Sequence, residues 1–396
     1  MKRKKEEENK RRGGNDMKYR NFPASGKQIS LLGFGTMRLP VEDAAKSVNV
    51  NEAEAIRIIR SAIDRGVNYV DTAYNYLGGN SEVVLGKALK DGYREKVFVA
   101  DKMPIWLLKN ESDLERLFNE QLKRLDIDYI DMYLIHNVNA ISWEKKVLKY
   151  NVLDFFQKKK DEGKIKHIGF SFHDEFDLFQ KVIDSFPWDF CQIQLNYMDA
   201  EFQAGIKGLK YASSKNISVI IMEPLKGGKL TDILPPSVEA FWAKAPIKRT
   251  PAEWALRWVA DFPEVLTILS GMSTMEQVDE NIRILSEADP NSLTETEHEL
   301  IKNVADEYNK LIKYSCTACK YCMPCPVKID IPTVIGLCNE WYIYHGSPKV
   351  KSDFELWIPP KSRPSVCTAC KSCEKSCPQQ LPISDIMKLA KEIFES

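Results

Sequence analysis

Along most of the chain, short apolar runs rich in β-branched residues alternate with segments whose apolar residues recur every three to four positions. The short runs predict eight buried strands, at residues 31–37, 67–73, 97–103, 130–136, 167–172, 190–196, 219–222 and 266–271. The longer segments predict amphipathic helices between the strands, for example at residues 52–65, 112–125, 152–162 and 251–260. This alternation predicts the α/β class and a (β/α)8 TIM barrel.

A doubly wound open sheet is the alternative arrangement of alternating strands and helices. That fold binds dinucleotides with a glycine-rich turn after its first strand. Here the pair Gly33 and Gly35 does not complete the glycine fingerprint. The barrel is therefore the favoured fold.

The chain divides into three predicted regions. Residues 1–16 form a charged tail that we expect to be disordered, residues 17–290 form the barrel, and residues 291–396 form a second, smaller domain. In the second domain we expect a linking helix at about 293–313, an apolar helix at 331–344, and an exposed loop at 345–366.

Composition excludes several partner classes. The chain has 396 residues, 44% of them hydrophobic, and carries 56 basic and 56 acidic residues. Balanced charge gives no reason to expect a nucleic acid or an anionic membrane as partner. No apolar run is long enough to span a bilayer and the charged N-terminus does not resemble a signal peptide, so we expect a cytoplasmic protein.

Eight of the ten cysteines lie in two compact runs. The first run ends before Pro326 and the second before Pro378, and their members are Cys316, Cys319, Cys322, Cys325 and Cys367, Cys370, Cys373, Cys377. Thiolates at this spacing converge on a soft metal centre, and a last cysteine followed by proline is typical of bacterial iron–sulfur runs. The sequence therefore predicts iron–sulfur clusters and electron transfer.

Structural zinc is the main alternative, because Cys-x2-Cys pairs also bind zinc. It fits less well, since each run has three closely spaced thiolates and a fourth followed by proline rather than two pairs. A disulfide framework is less favoured still without a secretory signal. Cys191 and Cys338 lie in predicted apolar elements and are expected to be buried small hydrophobes.

The cysteine runs resemble those of two-cluster bacterial ferredoxins, in which the last cysteine of each run ligates the other cluster. The resemblance implies one [4Fe-4S] cluster on Cys316, Cys319, Cys322 and Cys377, and another on Cys325, Cys367, Cys370 and Cys373. The first run departs from the pattern, with two residues instead of three before Cys325. This departure leaves the ligand role of Cys325, and the second cluster, open.

Four polar residues lie at or after the ends of predicted barrel strands. They are Asp71, Tyr76, Lys102 and His136. Strand ends point into the active site of such barrels, so these side chains should share one pocket. A lysine beside a tyrosine favours tyrosinate and lowers the tyrosine pKa, a carboxylate holds the lysine, and a histidine orients a carbonyl oxygen. Together they would form a proton donor.

At these positions the chain resembles the aldo-keto reductase superfamily. The matching stretches include LGFGTMRL, VNYVDTAYNYLGGNSE, VFVADK, IDMYLIHN, IGFSFH, QIQLNYMD, MEPLKGG and SGMSTMEQVDEN, in residues 19–284. The resemblance implies Tyr76 as general acid, Lys102 and Asp71 as its pKa-lowering partners, and His136 as the orienting residue.

The same resemblance implies a nicotinamide cofactor, NADP(H) or NAD(H). The implied contacts are Gly35, Thr36, Met37, Ser171, Gln192, Met222, Pro224, Leu225, Gly227, Gly271, Ser273, Gln277, Glu280 and Asn281. Phe172 stands where the family usually has asparagine, and Met222 where it has a stacking tyrosine. Residues 271–277 also lack the basic residues that grip the 2′-phosphate of NADPH in many members. A flavin therefore remains possible.

Barrel and tail together resemble aldo-keto reductases that carry a C-terminal 4Fe-4S ferredoxin-type domain. The leading hypothesis is NAD(P)H-dependent reduction of a small carbonyl compound, or the reverse alcohol oxidation. Hydride transfer moves two electrons and a cluster moves one, so coupling them needs a carrier such as flavin. The alternatives are a redox enzyme linked to a ferredoxin or flavoprotein partner, and a non-enzymatic electron-transfer or sensing subunit.

Overall fold

The computed structural model describes residues 17–42, 48–231, 234–316 and 321–396. The predicted tail at 1–16 and Cys319 lie outside these residues. The chain forms two compact units. Of the described residues, those up to Gly227 and those in Ala252–Thr294 form one unit, and those in Gly228–Pro251 and Glu295–Ser396 form the other. The loop that follows the seventh barrel strand is thus divided, with its first residues in the first unit and residues 228–251 in the second.

The first unit contains a closed barrel of eight parallel strands, which confirms the predicted (β/α)8 fold and rules out the open doubly wound sheet. All eight predicted strands are present. They are β3 Leu32–Gly35, β4 Tyr69–Asp71, β5 Phe98–Met103, β6 Ile130–Val138, β7 Ile165–Phe172, β8 Phe190–Gln194, β9 Ser218–Met222 and β10 Val265–Gly271. Strand β10 pairs with both β3 and β9, which closes the sheet.

An antiparallel hairpin that the sequence analysis did not predict precedes the barrel. Its strands are β1, Tyr19–Phe22, and β2, Lys27–Ser30, and Gly26 turns between them with a φ of 65°. Phe22 and Ile29 are fully buried in the cluster that also contains barrel residues such as Tyr69. The two strands are short and mostly polar, so their sequence lacks the apolar pattern by which the barrel strands were predicted.

The predicted helical periodicity corresponds to helices in the first unit. They are α1 Glu52–Asp64, α2 Asn80–Ala88, α3 Ser112–Leu125, α4 Val152–Asp161, α5 Phe176–Asp184, α6 Gly205–Ser214, α8 Pro251–Ala260 and α9 Met275–Glu287, with α7 Pro236–Ala243 in the second unit. Of helix α8, only its first residue, Pro251, belongs to the second unit. In α1, the Asn51 side chain caps the helix by accepting from Glu54 N, and Ile58, Ile59 and Ile63 are buried.

The regular secondary structure in the described part of the second unit is entirely helical. Besides α7 it contains α10 Glu295–Lys310, α11 Ile331–Ile343, α12 Pro348–Trp357 and α13 Ile383–Phe394, with a short helix at Ser372–Ser376. Helices α10 and α11 correspond to the predicted linking helix and apolar helix. Cys338 on α11 is fully buried, as is Cys191 on β8, which confirms the prediction for both.

The loop predicted at 345–366 is wrong over its first half, because α12 lies within it. Ser347 caps this helix by accepting from Lys349 N at 3.3 Å, and Pro348 occupies its first turn. Val350 and Phe354, four residues apart, are buried, and Phe354 stacks on Phe394 at 4.7 Å. This packing stabilises the helix. The proline and lysine content of the segment, on which the loop prediction was based, gives no information about such long-range contacts. No helix in the described part of the chain is long and apolar enough to cross a membrane.

Candidate active site and cysteine cavity

Three neighbouring strands bring the predicted catalytic side chains together. Asp71 ends β4, Lys102 lies near the end of β5, and His136 lies near the end of β6. Tyr76 begins the short turn that follows β4. Because β4, β5 and β6 are adjacent parallel strands, their carboxyl ends meet at one mouth of the barrel.

Lys102 is the hub of this group. Its Nζ donates to Asp71 Oδ1 at 2.6 Å, to Thr72 O at 2.6 Å and toward Tyr76 OH at 3.5 Å. The side chains of Lys102 and Asp71 are only 1% and 3% exposed. Burial lowers the pKa of Lys102, but Asp71 and Tyr76 outweigh it and the net pKa shift is upward. Lys102 is therefore a buried cation held by two oxygen acceptors beside the tyrosine.

The pKa of Tyr76 moves opposite to the predicted direction. Burial raises it, the charge of Lys102 lowers it, and the Asp71 carboxylate raises it, with a net upward shift. The charge of Lys102 lowers the pKa of Tyr76, as predicted. Asp71 does not, because its negative charge disfavours tyrosinate and so raises that pKa. Tyr76 is consequently protonated at neutral pH, which is the form a proton donor needs.

His136 faces Tyr76 across the mouth of the barrel. The centroids of the two rings are 6.2 Å apart, edge to face, and the ring of the exposed Trp106 lies 5.0 Å from that of His136. Burial, followed by the charges of Lys102 and His173, places the pKa of His136 well below its usual value. Its Nδ1 has no hydrogen-bond partner among the described residues. His136 is thus a neutral imidazole, suited to hydrogen-bond a carbonyl oxygen.

Sequence reasoning did not find a polar group packed behind Lys102. Gln121 Nε2 donates to Lys102 O at 3.0 Å and to Glu82 Oε1 at 3.1 Å, and Gln121 Oε1 accepts from Tyr133 OH at 2.5 Å. Asp101 accepts from Lys102 N at 2.8 Å and is fully buried, and burial together with Glu82 raises its pKa well above its usual value. These contacts fix the backbone of β5. The signal in the sequence was a polar residue on the buried face of α3.

On the opposite side of the mouth, the two predicted nicotinamide contacts are both buried. Ser171 Oγ accepts from Asn137 N at 2.9 Å, and Gln192 Oε1 has no partner among the described residues. Phe172, the residue in place of the usual asparagine, packs against Phe179 at 5.1 Å and is fully buried. The Phe172 ring therefore packs between strand β7 and helix α5.

The cofactor contacts predicted at the end of the first barrel strand differ in burial and in hydrogen bonding. Thr36 Oγ1 donates to Asp71 O at 2.9 Å and is 2.6 Å from Ser81 Oγ, so its hydroxyl is used within the protein. Gly35 is buried at the end of β3, and Met37 is half-buried in the short turn that follows.

The segment after β9 turns sharply. Met222 packs against the barrel core, and Pro224 and Leu225 follow it, buried and half-buried respectively. Gly227 and Gly228 have φ values of 66° and 87°, a backbone conformation that residues with a side chain rarely adopt. A Cβ atom at Gly227 would also lie 2.9 Å from Arg38 Nη2, so a larger residue there would collide with that guanidinium.

The remaining predicted contacts lie at the end of β10 and on α9, and three of them make hydrogen bonds there. Ser273 N donates to Gln277 Oε1 at 2.7 Å, and Asn281 Nδ2 donates to Ser270 Oγ at 2.9 Å. Glu280 lies on α9 between them, and Gly271 is exposed at the end of the strand. The structure thus gathers these residues at one strand end, and they include no basic side chain.

In the second unit, four cysteines line a single cavity. They are Cys325, Cys367, Cys370 and Cys373, the set that the ferredoxin resemblance implies for the second cluster. Ile329, Ile331, Ile383 and Met387 supply apolar walls. No group of three or more potential ligands among the described residues is drawn together closely enough to hold a metal ion. The thiols face one space without being gathered around a centre.

The backbone around these cysteines is concave. Ala369 and Lys371 have positive φ values of 51° and 57°, and Ala369 N donates to Cys367 Sγ at 3.4 Å. Alternating left-handed residues turn successive N–H groups inward, an arrangement that holds anions and iron–sulfur clusters. Cys377 is half-buried, as are Cys316 and Cys322 of the first run, whose fourth member, Cys319, is outside the described residues.

Comparison with known proteins identifies the barrel. The aldo/keto reductase family model matches residues 31–306, so the chain belongs to this family. It is an oxidoreductase, as its relatives are reductases or dehydrogenases. L-galactose dehydrogenase of Arabidopsis thaliana is 30% identical over 306 residues, covering 71% of this chain and 94% of that protein.

Two further matches support the same identification. NADH-specific methylglyoxal reductase of Escherichia coli (strain K12) is 28% identical over 65% of this chain and 90% of its own. The structure of aldo-keto reductase AKR11C1 from Bacillus halodurans (holo form) superposes with a TM-score of 0.60 at 25% identity, covering 73% of this chain and 96% of that one. The family match ends at residue 306, before the cysteine runs.

Proposed function

We propose that the protein reduces a small carbonyl compound with NAD(P)H, or oxidises the corresponding alcohol. The observation that carries the proposal is the buried contact of Lys102 Nζ with Asp71 at 2.6 Å and Tyr76 OH at 3.5 Å, beside the neutral His136. A bound nicotinamide would supply the hydride that the carbonyl carbon accepts. The carbonyl oxygen takes the proton of Tyr76, giving the alcohol and a tyrosinate.

Each of the four side chains has a distinct task in this proposal. Lys102 stabilises the negative charge that forms on the Tyr76 oxygen, and Asp71 keeps Lys102 in place. His136 hydrogen-bonds the carbonyl oxygen and directs it toward Tyr76. Because the group is buried, its charges act on one another with little screening by water.

Ser171 and Gln192 would hold the nicotinamide amide on the opposite wall. Both are buried side chains with amide-compatible polar atoms, and Gln192 Oε1 lacks a partner among the described residues. The relatives do not agree on the dinucleotide. The name of the Escherichia coli relative specifies NADH, whereas a Klebsiella pneumoniae aldo-keto reductase of similar fold, 24% identical with a TM-score of 0.59, was solved with NADPH.

We further propose that the second unit is a ferredoxin-type domain holding two [4Fe-4S] clusters. The shared cavity of Cys325, Cys367, Cys370 and Cys373 and the concave backbone at Ala369 and Lys371 fit one cluster. Cys316, Cys319, Cys322 and Cys377 would hold the other. Such clusters would supply one-electron transfer. Cysteines that bind clusters must stay reduced, which favours a location in the reducing cytoplasm.

A second candidate function is a redox enzyme whose barrel takes electrons from a ferredoxin or flavoprotein instead of a nicotinamide. Met222 packs against the barrel core and Phe172 is buried against Phe179, so neither supplies the expected nicotinamide contact. A flavin in the barrel, or on the partner, would also convert two-electron into one-electron transfer.

One preparation separates the two candidates. The full chain is purified without oxygen and analysed for iron, acid-labile sulfide, flavin and bound nucleotide, and then titrated with NADPH and NADH by fluorescence quenching. The first candidate requires nucleotide binding, and carbonyl reduction that Tyr76→Phe abolishes while Tyr93→Phe, at a partly exposed tyrosine bonded to Asp64, retains. Co-purifying flavin with no nucleotide binding would favour the second.

A further inference from the structure

Strand β4 is shorter than its neighbour β5 and ends before it reaches Lys102. The pairing of the two strands stops at Ala100, whose O accepts from Thr72 N at 2.9 Å. Beyond this point the backbone of Lys102 bonds to side chains. Its N donates to Asp101 Oδ1 at 2.8 Å, and its O accepts from Gln121 Nε2 at 3.0 Å. These two buried side chains take the place of a neighbouring strand and hold the backbone that carries Lys102.

The amide of Gln121 is oriented by three contacts. Its Oε1 accepts from Tyr133 OH at 2.5 Å, so its Nε2 donates to Lys102 O and to Glu82 Oε1, at 3.0 and 3.1 Å. Arg124 Nη1 donates to the other oxygen of Glu82 at 2.8 Å. Both oxygens of Glu82 therefore accept hydrogen bonds, as the oxygens of an ionised carboxylate do.

Asp101 lies against this carboxylate. The carboxyl groups of Asp101 and Glu82 are within hydrogen-bonding distance of each other, and neither side chain is exposed. Asp101 Oδ2 accepts no hydrogen bond from any described residue. Two carboxyl groups that share a buried site do not both ionise readily, because like charges repel there. One of the two therefore keeps a proton.

The surrounding groups decide which carboxyl group keeps the proton. Burial, followed by the charge of Glu82, raises the pKa of Asp101 well above its usual value, whereas Arg124 opposes the effect of burial on Glu82. Lys102 favours a charged Asp101, but its ammonium is bonded to Asp71 at 2.6 Å. From β6, Tyr133 brings no charge, because burial raises its pKa well above its usual value. The proton thus belongs to Asp101.

We propose that Asp101 is a neutral acid that donates its Oδ2 proton to the Glu82 carboxylate and acts as a positioning residue for Lys102. The proposal rests on the proposed function, in which Lys102 serves as the partner of Tyr76. Asp101 then holds Lys102 N with one oxygen and is itself held to α2 through the other. A neutral Asp101 also adds no negative charge behind Lys102, so the ammonium stays directed to Asp71 and Tyr76.

Asp101→Asn is the deciding variant, tested in the anaerobically purified full chain. Its Oδ1 can accept from Lys102 N and its Nδ2 can donate to Glu82, so it keeps both contacts without the acidic proton. Its kcat for carbonyl reduction should stay within about threefold of the wild-type value. Asp101→Ala removes both contacts and should lower kcat by about 10- to 100-fold, the scale expected for a displaced catalytic group. Nucleotide dissociation constants should not change in either variant.

The shared proton has a spectroscopic readout of its own. At about pH 8 ordinary carboxyl groups are ionised. The infrared C=O band of a protonated carboxyl group should therefore be present in the wild type and lost in Asp101→Asn. Asp131→Asn is the matched control, because Asp131 also holds the backbone of β5, accepting from Val99 N at 3.0 Å, but is paired with Arg94 at 2.7 Å. It should keep both the band and kcat.

The outcomes separate this inference from the function beneath it. Wild-type protein that neither binds nucleotide nor reduces carbonyl compounds would overturn the proposed function and the positioning role, while a band lost in Asp101→Asn would still show the shared proton. A wild type without the band, or an Asp101→Asn variant that keeps it, would overturn the shared proton.

The rates test the positioning role. Asp101→Asn as slow as Asp101→Ala would overturn the neutral donor, because Lys102 would then require the negative charge of Asp101. A wild-type kcat in Asp101→Ala would overturn the positioning role itself. Where Asp101→Ala does not fold, the infrared band and kcat of Asp101→Asn decide alone.

Discussion

Lys102 Nζ and Asp71 Oδ1 are 2.6 Å apart, in side chains that are almost completely buried. A buried ion pair contributes little net stability, but removing one member leaves a costly unpaired charge. Burial raises the pKa of Asp71 more than Lys102 lowers it, in keeping with an Oδ2 that no described group bonds. The pair is thus better explained by its position under Tyr76 than by its contribution to folding.

Asp71→Asn should therefore lose both stability and activity. We expect about 3 kcal/mol lower free energy of unfolding, because Lys102 stays buried without its carboxylate. The measurement is chemical denaturation of the anaerobic protein. Asp64→Asn, which breaks the exposed pair with Lys96, is the control and should cost less than about 1 kcal/mol. Equal effects for the two variants would contradict this account of the pair.

Tyr76→Phe and Lys102→Met should each slow carbonyl reduction by about 10²–10⁴-fold. The first removes the proton, and the second removes the charge that opposes the effect of burial on the Tyr76 pKa. The double variant should be only slightly slower than the worse single variant, because both residues act on one proton transfer. Single-turnover rates check this. A double loss equal to the product of the single losses would mean that the residues work independently.

The pH profile of kcat/KM for reduction should be flat from about pH 7 to 9. Burial places the pKa of His136 well below its usual 6.5, so it stays neutral through this range, and the net pKa of Tyr76 is above its usual 10, so its proton is retained. Activity should fall only as the pH rises past about 10. A break near pH 6.5 that His136→Gln removes would show a titrating imidazole instead.

Purified protein should contain about eight irons and eight sulfides per chain. Cys325→Ala should reduce this to about four, since Cys325 shares the cavity with the second run. Cys338→Ala, at a buried cysteine outside both runs, should leave iron unchanged. Iron unaffected by Cys325→Ala would show that this cysteine ligates no cluster, and stoichiometric zinc without sulfide would contradict the cluster proposal itself.

Lys229→Met should destabilise the second unit by about 3 kcal/mol, because Lys229 is only 10% exposed between Glu340 and Asp353. Hydrogen exchange of α11 and α12 should report the loss. Lys302→Met is a matched control in the same unit, with its 72% exposed lysine paired to Asp306. Unchanged protection in Lys229→Met would mean that the three charges do not stabilise these helices.

The sequence by itself determined the barrel and its four polar strand-end residues. Strand positions follow from short apolar runs, and Asp71, Lys102 and His136 stand at the ends of such runs, so local pattern and a general property of barrels were sufficient. Tertiary structure decided what depends on neighbours distant in the chain. The upward shift of the Tyr76 pKa is one example, because it depends on burial and on the charge of Asp71, which the residues next to Tyr76 in the sequence do not reveal.

Tertiary structure also decided the remaining features. Helix α12 forms because Phe354 stacks on Phe394, forty residues further along the chain. Arg38 meets Gly227 only because the barrel closes between its first and eighth strands. The cysteine spacing predicts iron–sulfur chemistry, and this stays a prediction, whereas the shared cavity of Cys325 and the second run arises from folding. Spacing shows which residues are able to act together, and packing determines which of them meet and in what charge state.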